Sequence, residues 1–188
     1  MFSHLPFDEI PFDKTYFNTD YFYVPESIYS KKVYKINMDE DYNDELSSHP
    51  NIEKRRSEVE NSINKFNNWQ QNSFRFDKQE FYEIRNICRF ETIRQRIITG
   101  EIPYALYEIY ILEQEFPNSE SLKAFKAHAW YDLARLRIDG NWRNIVPSEK
   151  ELEGESGTFL EFISKHKPEQ TYAFALRTIY DIKRKNPD

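Results

Sequence analysis

At 188 residues and 22.8 kDa the chain has the size of one domain, or of one domain with an arm. A mean hydropathy of −0.84 with no long apolar run excludes a membrane span, four glycines argue against a Gly-rich phosphate-binding fold, and one cysteine excludes an internal disulfide framework. A net charge of −6 gives no electrostatic reason to expect nucleic acid, while 15 Phe and 13 Tyr demand a buried home.

Met1 to Ile10 has neither the basic segment nor the apolar run of a signal peptide. Phe2, Pro6, Phe7, Pro11 and Phe12 crowd the beginning, which is unusual for a true start. The expectation is that Met1 is an added start or that the chain is part of a longer one. Residues 1–48 form an arm: Pro6, Pro11 and Pro25 forbid long helices, and Tyr21–Val24 and Lys32–Ile36 read as short extended pieces. Tyr16, Phe17, Tyr21, Phe22 and Tyr23 can each bury roughly 150–250 Å², so the arm should lie against the helical body or a partner. The acidic run Asp39–Glu45 lacks the central glycine and terminal glutamate of a calcium loop and reads as a solvated loop.

Residues 49–188 read as an all-α region of antiparallel helical hairpins. Ile52, Val59, Ile63 and Phe66 form a helical stripe over Asn51–Phe66. Asp77 and Glu80 make a capping box for a helix that runs to Gly100 through Phe81, Ile84, Ile87, Cys88, Ile93 and Ile97. Cys88, on that apolar face, reads as a buried structural thiol. Helices follow over Ile102–Phe116, closed by Pro117 and Asn118, and over Ser119–Ile138, where Ala124, Ala127, Ala129 and Ala134 permit close packing. Gly140–Val146 is a loop, and two last helices cover Ser156–His166 and Pro168–Lys185. Within Arg94–Arg137, Tyr104, Ala105 and Tyr107 precede Leu112 and Phe116-Pro117, and then come Ala127, Trp130, Leu133 and Ala134. That grammar resembles one tetratricopeptide unit; a generic helical hairpin reads almost as well.

No chemistry announces itself. His4, His49, His128 and His166 include no pair at His-Glu-x-x-His spacing. No serine sits in a Gly-x-Ser-x-Gly elbow, and no pair of carboxylates is singled out for acid–base work. Ser47-Ser48-His49-Pro50-Asn51-Ile52-Glu53-Lys54-Arg55-Arg56 stands apart. Its plain reading is a well-made helix start, with Ser48 as cap, Pro50 in the first turn and basic residues on the solvated face.

That segment, Ser-His-Pro followed by four residues and Arg, also resembles an element of zinc metallopeptidases of family M forty-eight, the HtpX and prenyl-protease type. Cys88-Arg89-Phe90-Glu91, Gly100–Ala105, Glu153–Ser156 and Ala175–Asp181 are similar to the helical, tetratricopeptide-like tail of bacterial members. The resemblance covers about residues 40–188 and matches His49, Pro50 and Arg55 to the family element, which in the family packs near the active site. It implies a C-terminal, non-catalytic part of a peptidase, or a diverged relative. The metal-binding helix is absent, so zinc is implied for the parent alone, and this chain is expected neither to bind catalytic zinc nor to cleave peptides. The implied partners are a substrate protein or the catalytic domain of the same parent, and the implied compartment is the bacterial cell envelope.

A concave helical surface bearing Tyr104, Tyr107, Tyr110 and Trp130 suits peptide segments, although core packing is the expectation for at least half of these rings. The alternative from the same surface is a stand-alone interaction module unrelated to proteolysis. A small-molecule enzyme with a site among the carboxylates has no residue to anchor it.

Overall fold

The punctuation of the sequence becomes six α-helices in the computed structural model, which describes residues 10–18, 23–29, 52–65, 78–146 and 154–185. They are α1 (Ile52–Lys65), α2 (Lys78–Thr99), α3 (Ile102–Glu115), α4 (Glu120–Ile138), α5 (Gly154–Lys165) and α6 (Pro168–Lys185). Short 3-10 turns occupy Glu26–Ile28 and Asn141–Asn144, and no strand occurs among the described residues. The fold is all-α. The chain divides into two compact units, one of Met1–Lys35 with Ile84–Asp188 and the other of Ile36–Glu83.

In the second unit, the described side chains of α1 are all exposed, Val59 and Ile63 included. Their helical stripe therefore has no described cover, while Phe66 lies outside the described residues.

The first unit is organised around α3, ten of whose residues are buried, from Ile102 to Leu112. A helix apolar on nearly every side must be central; α4 and α5 both pack on α3, and α6 packs on α4. The entry to α3 is set by Gly100 at φ 83°. The Glu101 N–H donates to the Arg96 carbonyl at 2.8 Å and the Gly100 N–H to Ile97 at 3.3 Å, which is the double bond pattern that ends a helix on a left-handed residue. Pro103 then sits in the first turn of α3, where its missing N–H costs nothing. Pro117 and Asn118 turn the chain, and Ser119 caps α4 by accepting the Leu122 N–H at 3.3 Å. The Asp77 cap expected for α2 lies outside the described residues.

The buried face of α2 corrects an expectation. Cys88 is exposed, as are Ile84 and Ile87. The side that packs instead carries Arg89, Phe90, Ile93 and Ile97, with Arg89 4% exposed. Arg89 reaches Glu115 of α3 at 2.8 Å, and Arg96 reaches Glu108 at 2.6 Å as well as Glu101. One end of the buried Arg89 guanidinium is paired with the Glu115 carboxylate, so a polar residue holds the place that hydropathy assigns to the isoleucine ladder on the other side of the helix.

Candidate functional site

The described parts of the arm, residues 10–18 and 23–29, lie against α3 to α6 of the first unit. Two tyrosines of α3, one turn apart, read its main chain. The Tyr107 hydroxyl accepts the Ile10 N–H at 3.2 Å and donates to the Ile10 carbonyl at 3.0 Å. The Tyr110 hydroxyl accepts the Asp13 N–H at 2.9 Å and donates to the Pro11 carbonyl at 2.8 Å. Each hydroxyl uses both its donor and an acceptor position on backbone groups, so the contact fixes the path of the arm without reading its side chains. Pro11 has no N–H to leave unpaired at this point.

The arm's side chains supply the rest. Phe12, 7% exposed, enters an aromatic pocket and meets Tyr110 edge-on at 5.2 Å and Phe159 of α5 at 4.9 Å. Phe17 stacks on Phe162 at 5.0 Å and meets Phe174 of α6 at 5.1 Å and Trp130 of α4 at 5.8 Å. Tyr29 stacks on the Phe162 ring at 4.7 Å, and its hydroxyl is pushed well above its ordinary pKa by burial. Such ring pairs contribute about 0.5–1.5 kcal/mol each beyond the area they bury. Four helices thus converge on two phenylalanines of the arm.

At the rim, charge fixes Tyr16. Its hydroxyl donates to Glu113 and accepts from the Lys126 ammonium at 2.6 Å, and Lys126 also pairs with Glu113 at 2.9 Å. Burial first, and the Glu113 carboxylate second, raise the Tyr16 pKa well above its ordinary value. Asp13 closes the bend of the arm, its carboxylate accepting from the Thr15 N–H at 2.8 Å and the Thr15 hydroxyl at 2.7 Å.

Two titratable groups are buried near this core. His166, 3% exposed, is wedged between Phe162 and Phe174 with Nδ1 2.7 Å from the Phe162 carbonyl; burial holds its pKa down at about 4. Glu108 is pushed up to about 7 by burial, against the pull of Arg96 and with the help of Glu101.

Of the residues singled out in the sequence, Tyr107, Tyr110 and Trp130 are buried in the pocket wall beneath the arm. Tyr104 is half-buried and lies 5.3 Å under the Arg96 guanidinium. His49 and Pro50 fall outside the described residues, and Arg55 is exposed on α1. Tyr23 and Val24 belong to no helix or hydrogen-bonded strand; the rest of the expected extended pieces, Tyr21–Phe22 and Lys32–Ile36, and the acidic run lie outside the described residues. Among the described residues no group of three His, Cys, Asp or Glu side chains could hold a metal ion, and no helix is long and apolar enough to cross a membrane.

Sequence reasoning missed Phe12, Phe17, Phe159, Phe162 and Phe174 as one site. A signal was present in the arm: Phe2, Phe7, Phe12, Phe17 and Phe22 recur at every fifth residue. Leu5-Pro6-Phe7-Asp8 is repeated almost identically as Ile10-Pro11-Phe12-Asp13. Comparison with protein-family models, curated proteins and solved structures finds no match.

Proposed function

We propose that the helical body is a protein-interaction module whose aromatic pocket binds an extended, phenylalanine-bearing segment, and that the chain's own arm is the segment it holds in cis. One observation carries this reading. The pocket recognises the arm as peptide-binding domains recognise peptides, with hydrogen bonds to main-chain groups from Tyr107 and Tyr110 and side-chain pockets for Phe12 and Phe17.

The test uses a fluorescein-labelled peptide of residues 8–29 and fluorescence anisotropy. In the Phe12→Ala, Phe17→Ala double variant the covalent arm is a poor competitor, and the peptide should bind saturably. The parent should bind it at least roughly tenfold more weakly, because its own arm competes at a high effective concentration. A helical variant that ignores the peptide, or equal binding by variant and parent, would count against the reading.

A second reading places the same surface in the C-terminal region of a zinc metallopeptidase, where it would hold a substrate protein or the parent's catalytic domain. Its support is the resemblance at Ser47–Arg56 and in the tail. A reading frame upstream of Met1 encoding His-Glu-x-x-His would favour it.

A further inference from the structure

The pocket takes two phenylalanines five residues apart, and the arm repeats phenylalanine with that same period. Resting on the interaction-module reading, we propose that the pocket's ligand is a Pro-Phe segment with a second Phe five positions after the first, and that the arm presents this element in two registers, Phe12 with Phe17 and Phe7 with Phe12.

The contacts explain why a five-residue slip is admissible. Moving the arm by one period puts Leu5 at the place of Ile10, Pro6 at Pro11, Phe7 at Phe12, Asp8 at Asp13 and Phe12 at Phe17. The hydrogen bonds from Tyr107 and Tyr110 go to main-chain N–H and carbonyl groups. Leu5, Pro6 and Asp8 offer the same groups, proline again falling where no N–H is used. The ring sites receive phenylalanine in both registers. The chain between the second ring and Val24 lengthens by five residues, and loop-closure entropy rises slowly with length.

The difference between the registers lies in the side chains that do not repeat. Tyr16, held by Glu113 and Lys126, would be replaced by Pro11. The Asp13–Thr15 turn would be replaced by Asp8 and Ile10, which lacks the hydroxyl. These contacts select the observed register over its neighbour. The pocket walls themselves do not, so a partner carrying the same spacing meets a fitted site once the arm is displaced.

Phe17→Ala separates the alternatives. In the observed register this variant leaves the space between Trp130 and Phe162 unfilled; one period away, Phe7 and Phe12 fill both ring sites. Phe7→Ala should lower the urea midpoint less in the parent than in the Phe17→Ala background. Phe17→Ala should lower it, and Phe7→Ala with Phe17→Ala should lower it measurably further, a coupling between residues ten apart that only the second register produces. With 4-fluorophenylalanine at position 7, the Phe17→Ala background should show a new ring-current-shifted 19F line. Deleting Asp13–Phe17 joins Phe12 to Asn18 and restores the spacing, and this variant should unfold at or above the midpoint of Phe17→Ala. Equal midpoints for Phe17→Ala and the double variant, an unmoved 19F line, or an unfolded Phe17→Ala chain would each overturn the second register. None of these readouts involves added peptide, so peptide binding without coupling would sink the register and leave the interaction module standing; coupling without peptide binding would do the reverse.

Discussion

Protonating His166 should destabilise the fold, and an opposing group conceals the effect. The folded-state pKa of His166 is about 4, against 6.5 for the free side chain. Its stability contribution is therefore complete above pH 6.5 and is lost as pH falls from 6.5 toward 4. A difference of 2.5 units corresponds to about 3 kcal/mol. Glu108 runs the other way, at about 7 in the fold against 4.5. Its contribution is complete below pH 4.5 and is lost as pH rises from 4.5 toward 7, again by about 3 kcal/mol. Between pH 4.5 and 6.5 the folded state holds one proton more on Glu108 and one fewer on His166 than the unfolded chain. Each slope is about 1.4 kcal/mol per pH unit, and they cancel. The parent should show a nearly flat urea midpoint across this window. Glu108→Gln removes one slope, so its midpoint should rise with pH by on the order of 1 M between the two ends. His166→Phe should show the opposite trend. A Glu108→Gln variant as flat as the parent would refute the burial argument for His166.

Smaller perturbations test individual contacts. Tyr110→Phe removes the hydroxyl shared by Asp13 and Pro11 and should cost about 1–2 kcal/mol in urea unfolding, while retaining the ring contact with Phe12. Gly100→Ala meets nothing within 4 Å, so its cost is the left-handed backbone alone, about 1 kcal/mol, or about 2–4 °C in Tm. Trp130→Ala opens a large cavity against Phe17 and Phe174 and should cost about 3–5 kcal/mol. Cys88 should react stoichiometrically with a thiol reagent in the folded chain; protection until unfolding would restore the buried placement that its neighbours in sequence suggest.

The helices were legible because their punctuation is chemical. Gly100, Pro117, Ser119 and Pro168 each do at a helix end what their backbone geometry or side-chain oxygen allows, and α3, α4 and α6 begin and end within a residue of expectation. Helix α5 begins at Gly154 rather than Ser156, since a glycine at φ 71° gives little sign of opening a helix. The packing face of α2 was not legible, because Arg89 is buried by virtue of Glu115, a partner 26 positions away. The arm's aromatic content announced that it must be covered, yet its seat depends on which faces of α3, α4, α5 and α6 converge. Hydropathy treats Tyr107 and Tyr110 as core rings and says nothing of the backbone their hydroxyls meet. The five-residue phenylalanine period alone could have pointed to a repeated element in the arm.

The most direct test of the central claim is to sever the arm without removing it. A protease site inserted after Ser30 allows the folded chain to be cut, and gel filtration then reports whether residues 1–30 stay bound. If the pocket is a peptide-binding site, the arm fragment should co-elute with the helical body and be exchanged by excess labelled peptide of residues 8–29, with helical content retained. An arm fragment that departs at once from a body whose helicity and urea midpoint are unchanged would contradict the account.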